Sequence, residues 1–406
     1  MYTVLHMSGH KIYKEDIKPL LDYIDDQWSV LLNSHKQNHT TLIPLPNQYI
    51  TPSSDEGYFR FDEQYYWDSY FTALGLDDEK LVSGMLDNLI HQYKLFGLIP
   101  NANRYYFTGR SQPPILTSFI LHVYEKYKKP KSWLKTHIKI AIDEYETVWT
   151  NDSHPHNRKV YRGLSRYYDI NILHDLAEAE SGWDMTNRFD RRCLDFLPID
   201  LNCLLYKYEK DIAKSLELLN DESAKAWRKR ASKRRHMVTE LMWDERAGMF
   251  YDYDYFNDRK SKIESLAAYY ALWSGLATTS QAEKLIQNLK KFIKPGGLVT
   301  TLPTKQTSTE SQKTQWAYPN GWAPLQIIVA DGLDNYGHTD EASHISKLWI
   351  TTVNSWFTKN NEILEKYNVV YPKLPPMNGV YPTQKGFAWT NASVVYLLER
   401  YLSTDL

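Results

Sequence analysis

The chain has 406 residues, a formal net charge of −1 and 14% aromatic residues, including 31 Tyr and 13 Trp. Near-neutral charge leaves no electrostatic case for nucleic acid or an anionic membrane as a partner. The Tyr and Trp excess supplies side chains with an apolar face and a polar tip, which suits a polyhydroxylated ligand.

At the N-terminus, Lys11, Lys14, Glu15, Asp16 and Lys18 interrupt any apolar run, so no signal peptide is visible. No later stretch approaches the roughly 20 apolar residues of a membrane span. A cytoplasmic location is expected, although a chain already trimmed of a signal would read the same. Cys193 and Cys203 are the only cysteines, too few for a disulfide framework. No linker or low-complexity tract divides the chain. The expectation is one domain over residues 1–406, with 1–50 as a lead-in.

Helical periodicity dominates from there on. Leu81, Met85 and Leu89, flanked by Leu86, Ile90 and Tyr93, form an apolar stripe opened by Asp77-Asp78 and closed by Gly97 and Pro100. Pro113-Pro114 begins the stripe of Ile115, Phe119 and Val123, at the first turn where a missing N–H costs nothing. Trp133–Trp149 repeats the pattern. Further helices are predicted over Ile199–Asp211, Ser223–Leu241, Ile263–Ser274, Ser280–Phe292, Pro324–Gly332, Asp340–Asn360 and Ala392–Ser403. Only Met249–Tyr255 alternates like a strand. The basic run Arg228–Arg235 falls on a predicted helix whose apolar positions are Trp227, Ala231, Val238 and Leu241, and reads as a solvated face.

Four segments carry the chemistry. They are Arg60-Phe61-Asp62-Glu63-Gln64-Tyr65-Tyr66-Trp67-Asp68, then Pro100-Asn101-Ala102-Asn103-Arg104 running on to Arg110-Ser111-Gln112, then Glu180-Ser181-Gly182-Trp183-Asp184, and Gln315-Trp316-Ala317-Tyr318-Pro319-Asn320-Gly321-Trp322. The last sets two indoles around Pro-Asn-Gly turn chemistry, which predicts a loop where flat rings edged by Asn and Gln meet a sugar. Packing in the core is the competing reading for these rings and for Trp67. Asp184 suits a general acid: Gly182 allows close backbone approach, and Trp183 shields the carboxyl from water, favouring its protonated form. A structural Asp at a helix start is the alternative.

In their order along the chain these segments resemble the trehalases, inverting glycoside hydrolases of the (α/α)6-barrel type, whose signatures read P-G-G-R-F-x-E-x-Y-x-W-D-x-Y and Q-W-D-x-P-x-G-W-A-P. The resemblance implies an all-α (α/α)6 barrel with the active site in loops at one mouth. It also implies hydrolysis of trehalose or a related small α-glucoside, without cofactor or metal, and a small carbohydrate as the ligand. Asp184 matches the family's acid. Leu364-Glu365-Lys366-Tyr367 matches the element that carries its base, which assigns Glu365, with Glu362 as the fallback and an exposed ion pair with Lys366 as the alternative. Arg60, Phe61, Trp67, Asp68, Asn101, Arg110, Gln112, Arg166, Gly182 and Trp316 are the implied substrate-binding positions.

Departures cluster on the leaving-group side. Gly57-Tyr58-Phe59 stands for P-G-G, and Ala317 for an Asp. Val380 replaces the acidic residue of the family's lid, and the P-R-P-E-S-W element after Tyr168-Asp169 is missing. Two rival functions follow: an α-glucosidase for another disaccharide or glycoside, and a non-catalytic sugar-binding barrel. Retention of both carboxylates argues against the second.

Overall fold

The computed structural model describes residues 14–35, 40–55, 60–304 and 314–402. The Gly57-Tyr58-Phe59 departure and the predicted helix end at Ser403 lie outside them.

Helices begin and end where local chemistry dictates. In α3 (Glu79–Phe96) the Asp78 side chain accepts from Leu81 N at 2.9 Å, and Gly97 stops the helix at φ +72 while its N–H reaches Tyr93 O. A capping box, Thr278 with Gln281, opens α10 (Thr279–Leu289). Pro324 sits in the first turn of α11 (Ala323–Asp334).

The helices form two rings. The inner one runs α2 (Tyr66–Leu74), α4 (Leu116–Lys126), α7 (Ile199–Leu218), α9 (Tyr270–Trp273), α11 and α13 (Ala388–Tyr401). It closes because α13 packs against α2, and α2 is tied to α4 by Leu116 N donating to Tyr66 Oη at 3.1 Å. Around it lie α1 (Lys14–Leu31), α3, α5 (Lys131–Glu144), α8 (Ala224–Met242), α10 and α12 (Thr339–Asn360). Burial follows this order: every residue of α2 is buried, whereas α8 buries one stripe. This is the (α/α)6 barrel that the resemblance implies. Only short two- and three-stranded ribbons accompany it among the described residues. None of the described helices is long and apolar enough to cross a membrane.

Several predicted elements differ in detail. Ile263–Ser274 is a 3-10 turn, Leu266–Tyr269, leading into the four-residue α9. The end of the Trp133–Trp149 helix widens into a π turn over Tyr145–Trp149. Met249–Tyr255 is two strands, Met249–Phe250 and Tyr253–Asp254, pairing with different partners. The basic helix face is not wholly solvated either. Arg228 and Arg230 pair with Glu217 and Glu146 at the surface, but Arg234 is buried against Glu209 and Tyr145.

The inner helices α2, α4, α7, α11 and α13 start at one mouth of the barrel. The segments that precede α2, α4 and α13, together with α6 (His174–Glu180) and the turn after it, supply the lining of the cavity described next, and the segment before α11 backs it.

Candidate active site

A cavity of about 310 Å³ opens at this mouth. Phe61, Trp67, Asp68, Asn101, Arg110, Gln112, Gly182 and Asp184 all line it, although they come from three distant segments of the chain.

Backbone anchoring fixes these segments. Gln112 Oε1 accepts from Trp67 N at 3.0 Å, and Asn101 N donates to Arg110 O at 3.0 Å. Glu180, fully buried, accepts from Ser111 N and Tyr168 N at 2.7 Å each and pairs with Arg158. It therefore joins the Arg110–Gln112 loop to the turn bearing Asp184. Gly182 adopts φ +72, and a Cβ there would lie 2.7 Å from the Trp67 ring. Only glycine lets that turn press against the indole.

Behind Asp184 is a packed aromatic wall. Trp183 stacks on Trp316 at 5.6 Å, Trp316 on Trp322 at 3.8 Å, and Trp389 meets both Trp316 and Trp322 edge-on. Trp316 and Trp322 are each 1% exposed. The core reading is thus correct for their packing: Trp316 backs the cavity wall without lining it, while Trp67 and Trp389 reach the lining. Asn320 and Gln326 are spent on backbone groups as well, Asn320 bonding Gln315 O and both polar groups of Met377, and Gln326 bridging both polar groups of Leu298.

Two further predicted residues are not among those that line the cavity. Arg60 is exposed and pairs with Asp62 at 2.7 Å. Arg166 donates to Asn157 O, Leu194 O and Tyr255 Oη, which leaves it holding loops together.

The electrostatics are dominated by carboxyls taken out of water. Burial raises the pKa of Asp184 to about 7; the negative charge of Glu365 pushes the same way, and Lys366 and Arg110 oppose it. Asp68 is raised to about 8, again chiefly by burial, with Asp184 and Glu365 contributing. Near neutrality Asp68 is largely protonated and can both donate to and accept from a sugar hydroxyl. Arg110 donates to Asp169 Oδ2 at 3.2 Å and lies over the Phe107 ring, yet its buried Nε has no acceptor among the described residues.

Glu365 is fully buried behind the lining. Its Oε2 accepts from Gln384 N at 3.1 Å, and its Oε1 accepts from Lys366 Nζ at 2.5 Å. Burial raises the pKa of Glu365 and lowers that of Lys366, while their mutual attraction opposes both shifts. Lys366 also donates to Gln315 Oε1 at 3.0 Å, and Gln315 Nε2 donates to Asp184 O at 2.6 Å. A continuous chain of hydrogen bonds therefore runs from the backbone of Asp184 to the carboxylate of Glu365. The strand pairing of Asn320–Trp322 with Lys366–Asn368 creates it by setting Lys366 opposite Trp322. Glu362 instead pairs with Lys385 at 2.8 Å near the surface.

Sequence reasoning missed Gln315 as a bridge, Lys366 as a buried counter-charge, and Arg188. Arg188 is fully buried between Asp200 and Asp252 and lies 4.4 Å from the Trp183 ring centre, fixing the residue next to Asp184. Tyr65, Phe107, Tyr381, Phe387 and Trp389 also line the cavity. The aromatic density of the first motif, of Tyr105-Tyr106-Phe107 and of the lid segment was the available signal for them. Among the described residues no three His, Cys, Asp or Glu side chains are grouped to hold a metal ion.

A family model described as Trehalase matches residues 5–180 and 168–402. Cytosolic neutral trehalase of Beauveria bassiana (strain ARSEF 2860) is 32% identical over 446 aligned residues, covering 88% of this chain. The chain spans 59% of that relative's length. Among solved structures, neutral trehalase Nth1 from Saccharomyces cerevisiae superposes with a TM-score of 0.76 at 29% identity, over 94% of this chain and 80% of that one. GH63 mannosylglycerate hydrolase from Thermus thermophilus, in complex with Tris and D-glycerate, reaches 0.68 at 15% identity, covering 93% of this chain and 99% of that one. That last likeness is one of fold alone.

Proposed function

Because the chain belongs to the trehalase family, we propose that it is an inverting α-glycoside hydrolase that cleaves trehalose, or a closely related small α-glucoside, by general acid–base catalysis. The observation that carries this reading is a carboxyl-bearing residue in the cavity lining whose backbone is linked by hydrogen bonds to a second, buried carboxyl behind it. Asp184 lines it with a pKa of about 7, and Glu365 is buried with Lys366 as its counter-ion. Burial raises both pKa values, but Lys366 opposes the rise at Glu365 by charge and by a direct hydrogen bond and at Asp184 by charge alone, which supports Asp184 as the acid and Glu365 as the base.

In the proposed reaction the protonated Asp184 gives its proton to the glycosidic oxygen as the bond from that oxygen to the anomeric carbon breaks. Water forms the new bond to the anomeric carbon from the opposite face and yields a proton to Glu365. One water is consumed, and the attacked centre inverts. Inverting pairs stand about 6.5–9.5 Å apart so that water fits between carboxylate and sugar.

Asp68, Asn101, Arg110 and Gln112 surround the sugar in this reading. The unmatched Arg110 Nε offers a buried donor, and a ligand oxygen that meets it removes a desolvation cost. A binding-only barrel has no need of an acid held near neutral pKa or of a buried base with its own cation. Incubation with a panel of disaccharides, with detection of released monosaccharide, tests the proposal. Release from trehalose supports it, and a folded protein that hydrolyses none of the panel refutes it.

A further inference from the structure

The mouth of the cavity is unexpectedly apolar. Of the twelve large hydrophobic side chains left exposed among the described residues, six fall in three segments around it: Tyr105 and Tyr106, then Ile170, Ile172 and Leu173, and Val380. Backbone contacts bring these segments to the opening. Tyr105–Phe107 is a 3-10 turn whose last residue lines the cavity. Ile170 N donates to Gly109 O at 2.9 Å, one residue before the lining Arg110. Leu173 precedes α6, which carries Asp175 and Leu176 into the lining. Val380 lines the cavity itself and is 68% exposed.

Hydrogen-bonding groups concentrate at depth. The buried part of the lining holds Asp68, Asn101 and Gln112 among the rings of Trp67, Phe387 and Trp389, each less than a tenth exposed. Toward solvent stand Phe107, Leu176 and Val380, with Asp175 as the acidic side chain of the rim. Isolated exposed apolar residues are ordinary, but a group of them continuous with a ligand cavity marks a binding surface. The deep end suits a sugar ring, whose hydroxyls need partners. The outer end suits a group with few hydroxyls to satisfy.

We infer that the leaving-group side of this cavity accepts apolar aglycones, so that α-glucosides of alkyl or aryl alcohols are substrates of the same acid–base pair. The inference rests on the glycosidase reading above. The chemistry is unchanged: water adds to the anomeric carbon, Asp184 protonates the departing oxygen, and the alcohol leaves.

The test compares initial rates on methyl, butyl and octyl α-glucoside, each below its micelle concentration, with rates on trehalose. For the unmodified protein kcat/KM is expected to rise about ten-fold or more from methyl to octyl, mainly through KM, because each added methylene leaves water against the rim. In the double variant Val380→Gln, Leu173→Gln the ratio of octyl glucoside to trehalose is expected to drop about ten-fold. Both positions are exposed, and an unchanged melting temperature verifies the fold. Trehalose hydrolysis with no dependence on chain length overturns this inference and leaves the glycosidase reading standing. Failure to hydrolyse any of the four overturns both.

Discussion

Lys366 Nζ donates to Glu365 Oε1 at 2.5 Å, and neither side chain is exposed to solvent. A carboxylate buried alone would take up a proton, because the interior solvates its charge poorly. The ammonium beside it opposes that shift and favours the ionised form, although burial still leaves the Glu365 pKa raised. In the proposed reaction Lys366 would favour the form of Glu365 that accepts a proton from water, acting on Glu365 without touching substrate.

Replacing this cation should move the pH profile in a defined direction. In Lys366→Met, Glu365 loses the charge that lowers its pKa, so the acid limb of kcat/KM is expected to move up by roughly 1–3 units. Asp184 also loses a lowering influence, and its basic limb moves the same way. The profile of kcat/KM against pH checks this; a bell left in its original position shows that Lys366 is not the counter-charge of the base.

Asp184→Asn keeps the shape of the acid and removes its proton. Turnover is expected to fall about 10²–10⁴-fold, the usual worth of positioned acid–base catalysis. Affinity for a competitive sugar inhibitor should stay within a few-fold, measured by calorimetry. Turnover near normal in the folded variant would sink the assignment.

The unmodified protein should lose activity as pH rises through about 7, the pKa of Asp184. The sign follows from the role: a general acid works protonated, so kcat/KM drops about ten-fold per pH unit beyond its pKa. In Glu365→Gln the negative neighbour that raises this pKa is gone. Any residual activity should therefore have its basic limb shifted toward lower pH. Glu362→Gln, which alters only a surface pair with Lys385, is expected to retain activity. Inactivity of that variant together with full activity of Glu365→Gln would exchange the two assignments.

Gly182→Ala should damage both fold and site. The added methyl would meet the Trp67 ring at 2.7 Å in a backbone conformation that L-residues disfavour, and strain of this kind costs about 1–3 kcal/mol. Thermal denaturation should register the loss, and kcat should fall because Asp184 sits two residues on. An unchanged melting temperature would mean that the turn relaxes at no cost.

Much of this architecture is legible in the sequence, for identifiable reasons. The stripe from Leu81 to Tyr93 and the cap at Asp78 are local, so α3 is readable without its neighbours. The lead-in is harder: α1 contains Pro19 and many charges, which mask its apolar face. Motif spacing finds Asp184, Asp68 and Arg110 because each is embedded in a contiguous signature. It does not find the Gln315–Lys366 link, whose partners are 51 residues apart and meet only through strand pairing. Nor does the sequence tell a tryptophan that covers a sugar from one that backs the wall. Trp316 and Trp67 have similar local surroundings, but α2 carries Trp67 into the lining and the Trp183–Trp316–Trp322 stack holds Trp316 behind it.

The central claim is that water, activated by Glu365, attacks while Asp184 protonates the leaving oxygen. Proton NMR of the products in the first minutes of trehalose hydrolysis tests this most directly. Inversion predicts one β-glucose from the attacked ring and one α-glucose from the departing ring, in equal amounts before mutarotation. Two α-glucose products would contradict the account, because retention requires a protein carboxylate as nucleophile about 5 Å from the acid.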